Sequence, residues 1–306
     1  MALAGGLDGR VAIVTGSGRG LGLAYAQRLA ADGAAVVVND VDPGTAGAAV
    51  KSITSAGGTA VAEVGAVGST QTAEALVARA VADFGRLDIL VTNDGILRDA
   101  VVWKMTDEDF DSVVNVHLRG TFTCVRAAAI RLREQDEGGR IVCVGSPTGQ
   151  LGNFGQTNYA AVKAGIVGMV RTWALELARA KVTVNAIVPV AATAMTDTVP
   201  FLRGYADALA RGEALPPFAR QELGFGAPED VAGLVAFLAS DAAAAITGQA
   251  VGIGGDRLAL WSHPAEIAVR FADRAGWNSP AIAAVWPEAF APFLQPVGQH
   301  FPEPPR

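Results

Sequence analysis

Seven short runs rich in β-branched residues punctuate this 306-residue chain: "VAIVT" (11–15), "AAVVVN" (34–39), "TAVAEV" (59–64), "LDILVT" (87–92), "RIVCVG" (140–145), "VTVNAIV" (182–188) and "QAVGIG" (249–254). Helix-length segments separate them, among them 20–32, 71–84, 108–133, 156–179 and 228–239. A strand covered on both faces reads as continuously apolar, and parallel neighbours need long right-handed crossovers between them. The pattern therefore predicts an α/β chain with a doubly wound, seven-stranded, mostly parallel sheet and helices on both faces. It holds to about residue 256. Beyond it comes an extension, 257–306, rich in proline and aromatic residues, with Trp261, Trp277 and Trp286 and little strand periodicity. Such a segment is too aromatic to read as plain disorder. The expected organisation is one domain over 1–256 and an extension packed on it or on a neighbouring subunit.

The first run leads directly into "TGSGRGLG", Thr15 to Gly22, which opens a helix. Strand, glycine turn and helix in that order form a site for a pyrophosphate, because glycines let backbone N–H groups approach it and the helix N-terminus adds partial positive charge. At the end of the second run stands Asp40, eighteen residues after Gly22. A carboxylate there can accept hydrogen bonds from both hydroxyls of an adenosine ribose. A 2′-phosphate would meet it with like charge, costing about 4 kcal/mol per unit charge at about 4 Å and an effective dielectric of about 20. Arg19 pulls the other way, since a guanidinium can pair with that phosphate. A short, fixed carboxylate outweighs a long, mobile cation, so the reading favours NAD over NADP.

Composition narrows the partners. The formal net charge is −6 and no basic run is present, which argues against nucleic acid or an anionic membrane surface. Charged residues make up only 18% against 51% apolar, which suggests surface hidden between subunits. The helix that begins at Tyr159 is apolar nearly all round and uncharged from Ala164 to Val170, so a homodimer or homotetramer through Tyr159–Ala178 is expected. Cys124 and Cys143 stand at no metal or redox spacing and read as core residues; no metal site is expected, and His263 and His300 lie in the extension without ligand spacing. With no signal-peptide pattern at the start and no apolar run of membrane-spanning length, the expected location is the cytoplasm.

Tyr159 is one of three tyrosines, and Lys163, one of four lysines, follows it at i+4 in "NYAAVKAG". Alone, such a pair is usually two neighbours on a helix. Together with "TGSGRGLG", "VTNDG" (91–95), Asn115 in "VVNVHLRGTF", Ser146 in "IVCVGSPTG" thirteen residues before Tyr159, and "PEDVAGLVAFLAS" before "ITGQAVGIGG", it resembles the short-chain dehydrogenase/reductase family over about residues 6 to 256. The resemblance implies a Rossmann-type fold and a catalytic set of Asn115, Ser146, Tyr159 and Lys163. It also implies cofactor contacts from Gly16, Arg19, Gly20, Leu21, Gly22, Asp40, Ala66, Val67, Asn93, Gly95, Tyr159, Lys163 and Thr193. In that scheme Tyr159 exchanges a proton with the substrate oxygen and Ser146 holds that oxygen. Lys163 brings the phenol from about 10 towards about 7, a shift of roughly 4 kcal/mol that one nearby cation can supply. Asn115 takes the family's role of holding a relay water, and His117 reads as a structural helix residue.

"VVVND", "GILRD", "VHLRGTF", "GNFGQTNYAAVKAG" and "AMTDTV" are similar to the dehydrogenase domain of type 2 peroxisomal multifunctional enzymes and their bacterial relatives. That narrower likeness implies oxidation of a 3-hydroxyacyl-CoA or a hydroxysteroid. Three positions depart from the family: Asp94 where alanine is usual, Ala66 where an aspartate often touches adenine, and Val190 after Pro189 where glycine is expected. All three concern cofactor grip and suggest weaker NAD binding. Segment 194–225 reads as a substrate lid over an apolar ligand, with Arg203, Arg211 and Arg220 either meeting CoA phosphates or lying on a solvated helix face. Two rival readings stand beside this one: a sugar or polyol dehydrogenase, and a catalytically silent NAD-binding or scaffolding protein.

Overall fold

The computed structural model describes residues 6–193, 201–272, 276–299 and 302. Strands β1 (Val11–Val14), β2 (Ala35–Asp40), β3 (Thr59–Val64), β4 (Ile89–Thr92), β5 (Gly139–Val144), β6 (Val182–Pro189) and β7 (Ala250–Gly254) lie at the seven expected places. An eighth, β8 (Arg257–Trp261), was not expected: it pairs antiparallel with β7, Ala250 opposite Trp261. The sheet thus has eight strands, not seven, in the order β3-β2-β1-β4-β5-β6-β7-β8. The physical reason lies at the edge. Leu258 and Leu260 point outward, 68% and 69% exposed, so β8 has one open face and lacks the continuous burial that marks the parallel strands.

Alternation along the central strands feeds two cores. Ala12 and Val14 of β1 join one apolar cluster, built against helices α1 (Gly20–Ala31), α2 (Pro43–Ser55) and, later in the chain, Pro228–Ala239. Val11 and Ile13 join the other, under α3 (Thr70–Phe84) and the helices Gly120–Gln135 and Thr157–Glu176. Side chains on successive strand residues point to opposite faces, so one apolar run supplies both layers. Strand order reverses between β1 and β4, and a doubly wound sheet leaves its ligand crevice at the carboxyl ends of the strands there.

The segment expected as one helix over 108–133 is three pieces: α4 (Asp107–Val113), a π-helical stretch over Val114–Arg119, and α5 (Gly120–Gln135). Wide turns of this kind re-aim side chains, and they recur at functional sites. Here the turn also brings the helix close to the loop after β3. A Cβ on Gly120 would lie 2.8 Å from Val67, and one on Gly68, whose φ is +105°, would lie 2.9 Å from the Asn115 amide. Short α6 (Pro147–Leu151) then leads to α7 (Thr157–Glu176). A Cβ on Gly149 would come within 2.6 Å of the Lys163 backbone, so only glycine lets the two helices approach this closely.

After β6 the described part of segment 194–225 contains α8 (Arg203–Ala210) and a small core of Leu202, Leu215, Ala219, Leu223 and Phe225; residues 194–200 lie outside the described ones. Arg220 fastens this unit, pairing with Asp230 at the start of α9 (Pro228–Ala239) at 3.2 Å and with Asp256 of the β7–β8 turn at 2.7 Å. Arg211 pairs with Glu213. The extension adds α10 (Ser279–Ala289), where Trp286 stacks on Phe290. Trp277 and Trp286 stay 41% and 45% exposed, whereas Trp261 packs against the core. Farther on, the Gly298 N–H donates to the Leu151 carbonyl at 2.7 Å, so this part of the extension lies against α6. His263 is used structurally, with its Nε2 at 3.0 Å from the Gly248 carbonyl oxygen; His300 lies outside the described residues. Among the described residues no helix is long and apolar enough to cross a membrane.

Candidate active site

A cleft of about 780 Å³ opens along the carboxyl ends of the strands. Its first end is the glycine turn. Gly16 and Gly20 have φ of +58° and +56°, a region costly to other residues, and a Cβ on Gly22 would overlap the Gly16 carbonyl oxygen. Gly16, Arg19, Gly20 and Leu21 line the cleft; Gly22 does not, being the buried close-approach residue beneath the turn. Arg19 occupies the N-cap position of α1 without a side-chain cap, which leaves the first N–H groups of the helix available to an anion. Asn93 locks the turn to β4: its amide donates to the Gly16 carbonyl at 3.0 Å and to the Thr15 carbonyl at 3.2 Å. The other expected cofactor residues Asp40, Ala66, Val67, Gly95 and Thr193 line the same cleft.

Asp40 ends β2 at the rim and accepts from the Asp42 N–H at 3.1 Å. Behind the turn sits Asp94. A Cβ on Gly16 would lie 3.0 Å from its carboxyl, and its Oδ2 is sealed from solvent with no hydrogen-bond partner among the described residues. Burial pushes this carboxyl up to about 6; the Thr15 hydroxyl opposes the shift and the charge of Asp40 adds to it.

The second end gathers the acid–base groups. Ser146, buried at the start of α6, accepts from the Thr148 N–H at 3.2 Å. In the first turn of α7, the backbone N–H of Tyr159 donates to the buried Asn158 side chain at 2.7 Å, and the Asn158 amide donates to the Arg98 carbonyl at 2.9 Å. That pair of bonds fixes where the phenol enters the cleft. Lys163 is 3% exposed; its Nζ donates to the Val144 carbonyl at 2.7 Å and stands 5.5 Å from the Tyr159 ring centre. These three side chains line the same end of the cleft.

One expectation at this end needs correction. Asn115 is exposed, packs against Gly68 and does not line the cleft. The π turn instead sends His117 inward: it is 1% exposed, lines the cleft and meets Tyr159 edge to face at 5.3 Å. Its Nε2 lies 2.8 Å from the Ile96 carbonyl oxygen and 3.0 Å from the Ile96 N–H, while its Nδ1 is buried without a partner among the described residues. Burial, with the nearby Lys163, pulls His117 down to about 3, so the ring is neutral. Its cleft position was not legible in sequence, where it read as a structural helix residue.

Burial also sets the charge at this end. Burial pushes the Tyr159 phenol up to about 12, with Ser146 opposing and Asp99 adding to the shift, and pulls Lys163 down to about 7. A lysine that shares the phenol's dry environment loses much of the cationic character that would depress it. Cys124 and Cys143 are buried and free, their thiols pushed up to about 12 by burial, as core residues should be.

Residues 16–255 match the family model described as enoyl-(acyl carrier protein) reductase. The chain is a short-chain dehydrogenase/reductase. Among its relatives is the 3-oxoacyl-[acyl-carrier-protein] reductase of Thermotoga maritima, 40% identical over 251 residues, which cover 81% of this chain and 98% of that one. The hydroxyacyl-CoA dehydrogenase ChsB1 of Mycobacterium tuberculosis is 40% identical over 298 residues, covering 93% and 90%. Among solved structures, a short chain dehydrogenase from Mycobacterium avium superposes with a TM-score of 0.81 at 35% identity, covering 96% of this chain and 98% of that one. This short-chain dehydrogenase/reductase is accordingly an oxidoreductase of hydroxyl and keto groups, and its family works with a nicotinamide cofactor. The glycine cradle and the open start of α1 fit such a cofactor.

Proposed function

We propose that this enzyme interconverts a secondary alcohol and a ketone on a bulky apolar acyl substrate, with a 3-hydroxyacyl thioester as the first choice and a hydroxysteroid as the second. The observation that carries the reading is the convergence of Ser146, Tyr159 and Lys163 at one end of a cleft whose wall continues into Leu202, Leu223 and Trp261. The relative named as a hydroxyacyl-CoA dehydrogenase and matched over 298 residues supports the same substrate class. Arg211 and Arg220 are engaged in ion pairs within the chain, which leaves a CoA phosphate to other groups.

In this mechanism Tyr159 passes its proton to the ketone oxygen, or takes it from the alcohol, while Ser146 holds that oxygen in line. When bound, the nicotinamide supplies or accepts the hydride and, in its oxidised form, adds the positive charge that favours the phenolate. Lys163 stands behind Tyr159, held there by the bond from its Nζ to the Val144 carbonyl. His117 takes the inward position that Asn115 leaves empty of a polar side chain and packs the phenol from the other side. Asp40 at the end of β2 supports NAD over NADP by the ribose argument above, and Arg19 remains the competing group. Gln299 and Pro302 also line the cleft, which supports residues 257–306 as an extension that completes the substrate wall. Large exposed apolar side chains such as Leu175, 81% exposed at the end of α7, and Phe271, 90% exposed, support assembly into a homo-oligomer.

The test is turnover, followed by NADH and NADPH absorbance, on a panel of 3-hydroxyacyl thioesters, hydroxysteroids and polyols. Turnover of the acyl series with NAD supports the reading; turnover of polyols alone overturns it. Absence of any turnover that Tyr159→Phe removes would leave a silent binding protein.

A further inference from the structure

Most ionisable groups in the cleft have a task in the reaction or at the cofactor ribose, but Asp94 has none. It is a half-buried acid directly behind the glycine turn, with its Cα, Cγ and Oδ1 each 3.0 Å from where a Cβ on Gly16 would sit. Its Oδ2 is sealed from solvent, lacks a hydrogen-bond partner among the described residues, and belongs to a residue that lines the cleft. The groups that face it do not neutralise it. From β1 comes the Thr15 hydroxyl, from β2 the Asp40 carboxylate with the same sign of charge, and from α5 the Cys124 thiol, which burial keeps neutral. Its neighbour Asn93 spends its amide on the Thr15 and Gly16 carbonyls. Arg19 lines the same cleft but is exposed at its rim.

We propose that Asp94 takes up a proton as the pyrophosphate arm of the cofactor seats on the glycine turn, so that cofactor affinity falls as pH rises. The step is a simple protonation. One proton from solvent joins the carboxylate, no other bond changes, and the resulting O–H becomes a donor where the ionised form offers only a second negative charge next to the phosphates. A carboxyl pushed up to about 6 by burial is poised to do this near neutral pH. The proposal rests on the nicotinamide-cofactor reading of the glycine turn, so its test separates the two.

The experiment is calorimetric titration of the unloaded protein with ADP-ribose, which carries the adenosine and pyrophosphate but no nicotinamide and no group titrating between about pH 5 and 8. Its terminal ribose can still approach Lys163, which also titrates at about 7, so the Asp94 variants are what assign the measured protonation to Asp94. If only the protonated form binds well, the apparent Kd scales with the inverse of the protonated fraction, about 100-fold weaker two pH units above the midpoint. The expected result is Kd rising about tenfold per pH unit above pH 6, with one proton taken up per ligand, read from buffers of different ionisation heat. Asp94→Asn, which keeps a donor and loses the charge, should flatten the profile, abolish proton uptake and bind up to about 100-fold more tightly than the parent at pH 8. Asp94→Ala should also be flat, which guards against a fold defect peculiar to the amide. A flat parent profile without proton uptake, or an Asp94→Asn protein that keeps the parent's slope, overturns the proposal. No ADP-ribose binding by parent or variants at any pH removes the cofactor reading, and the proposal with it.

Discussion

The glycine-turn end and the reacting end of the cleft both bury ionisable groups, and the sheet treats them alike. At one end Asp94 rises to about 6; at the other Lys163 falls to about 7, His117 falls to about 3 and Tyr159 rises to about 12. In every case burial is the largest cause, and it favours the neutral form whichever sign the group carries. The ends differ in how the polar groups are held. Tyr159 and Lys163 are fixed by bonds to Asn158 and to the Val144 carbonyl. Asp94 has the Thr15 hydroxyl and an oxygen without a partner among the described residues. One end pins its groups by hydrogen bonds; the other leaves a carboxyl oxygen without a partner among the described residues.

The largest effect expected from this contrast is at the reacting end. Tyr159→Phe should lower kcat about 10³-fold or more in the NADH assay with little change in ADP-ribose affinity, because the phenol acts on the substrate and not on the pyrophosphate. Retention of a tenth of the activity would dissolve the distinction between the ends.

Next comes stability against pH in the absence of cofactor. The folded value of Asp94 lies above its unfolded value of 3.8, so its favourable contribution is fully present below that value and is lost as pH rises through about 6. Removing the charge with Asp94→Asn should therefore gain up to roughly 3 kcal/mol relative to the parent on going from pH 4 to pH 7.5. Denaturant unfolding at the two pH values measures it, and an unchanged difference between the two proteins would place the carboxyl in water.

Asp40→Ser should shift the NADP to NAD preference, read as a ratio of kcat/KM, by about 10- to 100-fold towards NADP, since it removes like charge from the ribose and leaves Arg19. No shift would move the choice of cofactor away from β2. The smallest change is expected in the lid. Arg220→Met removes half-exposed ion pairs to Asp230 and Asp256, so it should cost only about 1 kcal/mol in overall unfolding while raising KM for long acyl substrates more than for short ones. Equal effects on all chain lengths would remove the lid from the substrate wall.

Strands β1 to β7 were legible because burial on both faces leaves a continuous apolar run that survives in local composition. Helix α2 was not singled out: Gly44 and Gly47 in "PGTAGAAVKSITS" weaken its helical signal, although Asp42 caps it through the Thr45 N–H at 2.6 Å. The eighth strand was missed because its pairing with β7 is a tertiary contact with no mark in "RLALW" itself. In the site, Ser146, Tyr159 and Lys163 stood at spacings that a strand end and one helical turn enforce. The exchange of Asn115 for His117 followed from a single wide turn at 114–119, which rotates the following side chains and has no signature in composition.

The sequence alone determined the layered α/β scaffold, the glycine turn and the triad of side chains at the reacting end, because each depends on contacts between residues close in the chain or on uniform burial. Only the tertiary structure decided which side of the π turn faces the cleft, how far each buried group departs from its ordinary pKa, and that residues 298 and 299 return to the wall near Leu151. Those outcomes depend on the solvent each group loses, and that is set by segments that are distant in sequence and meet only when the sheet and its helices assemble.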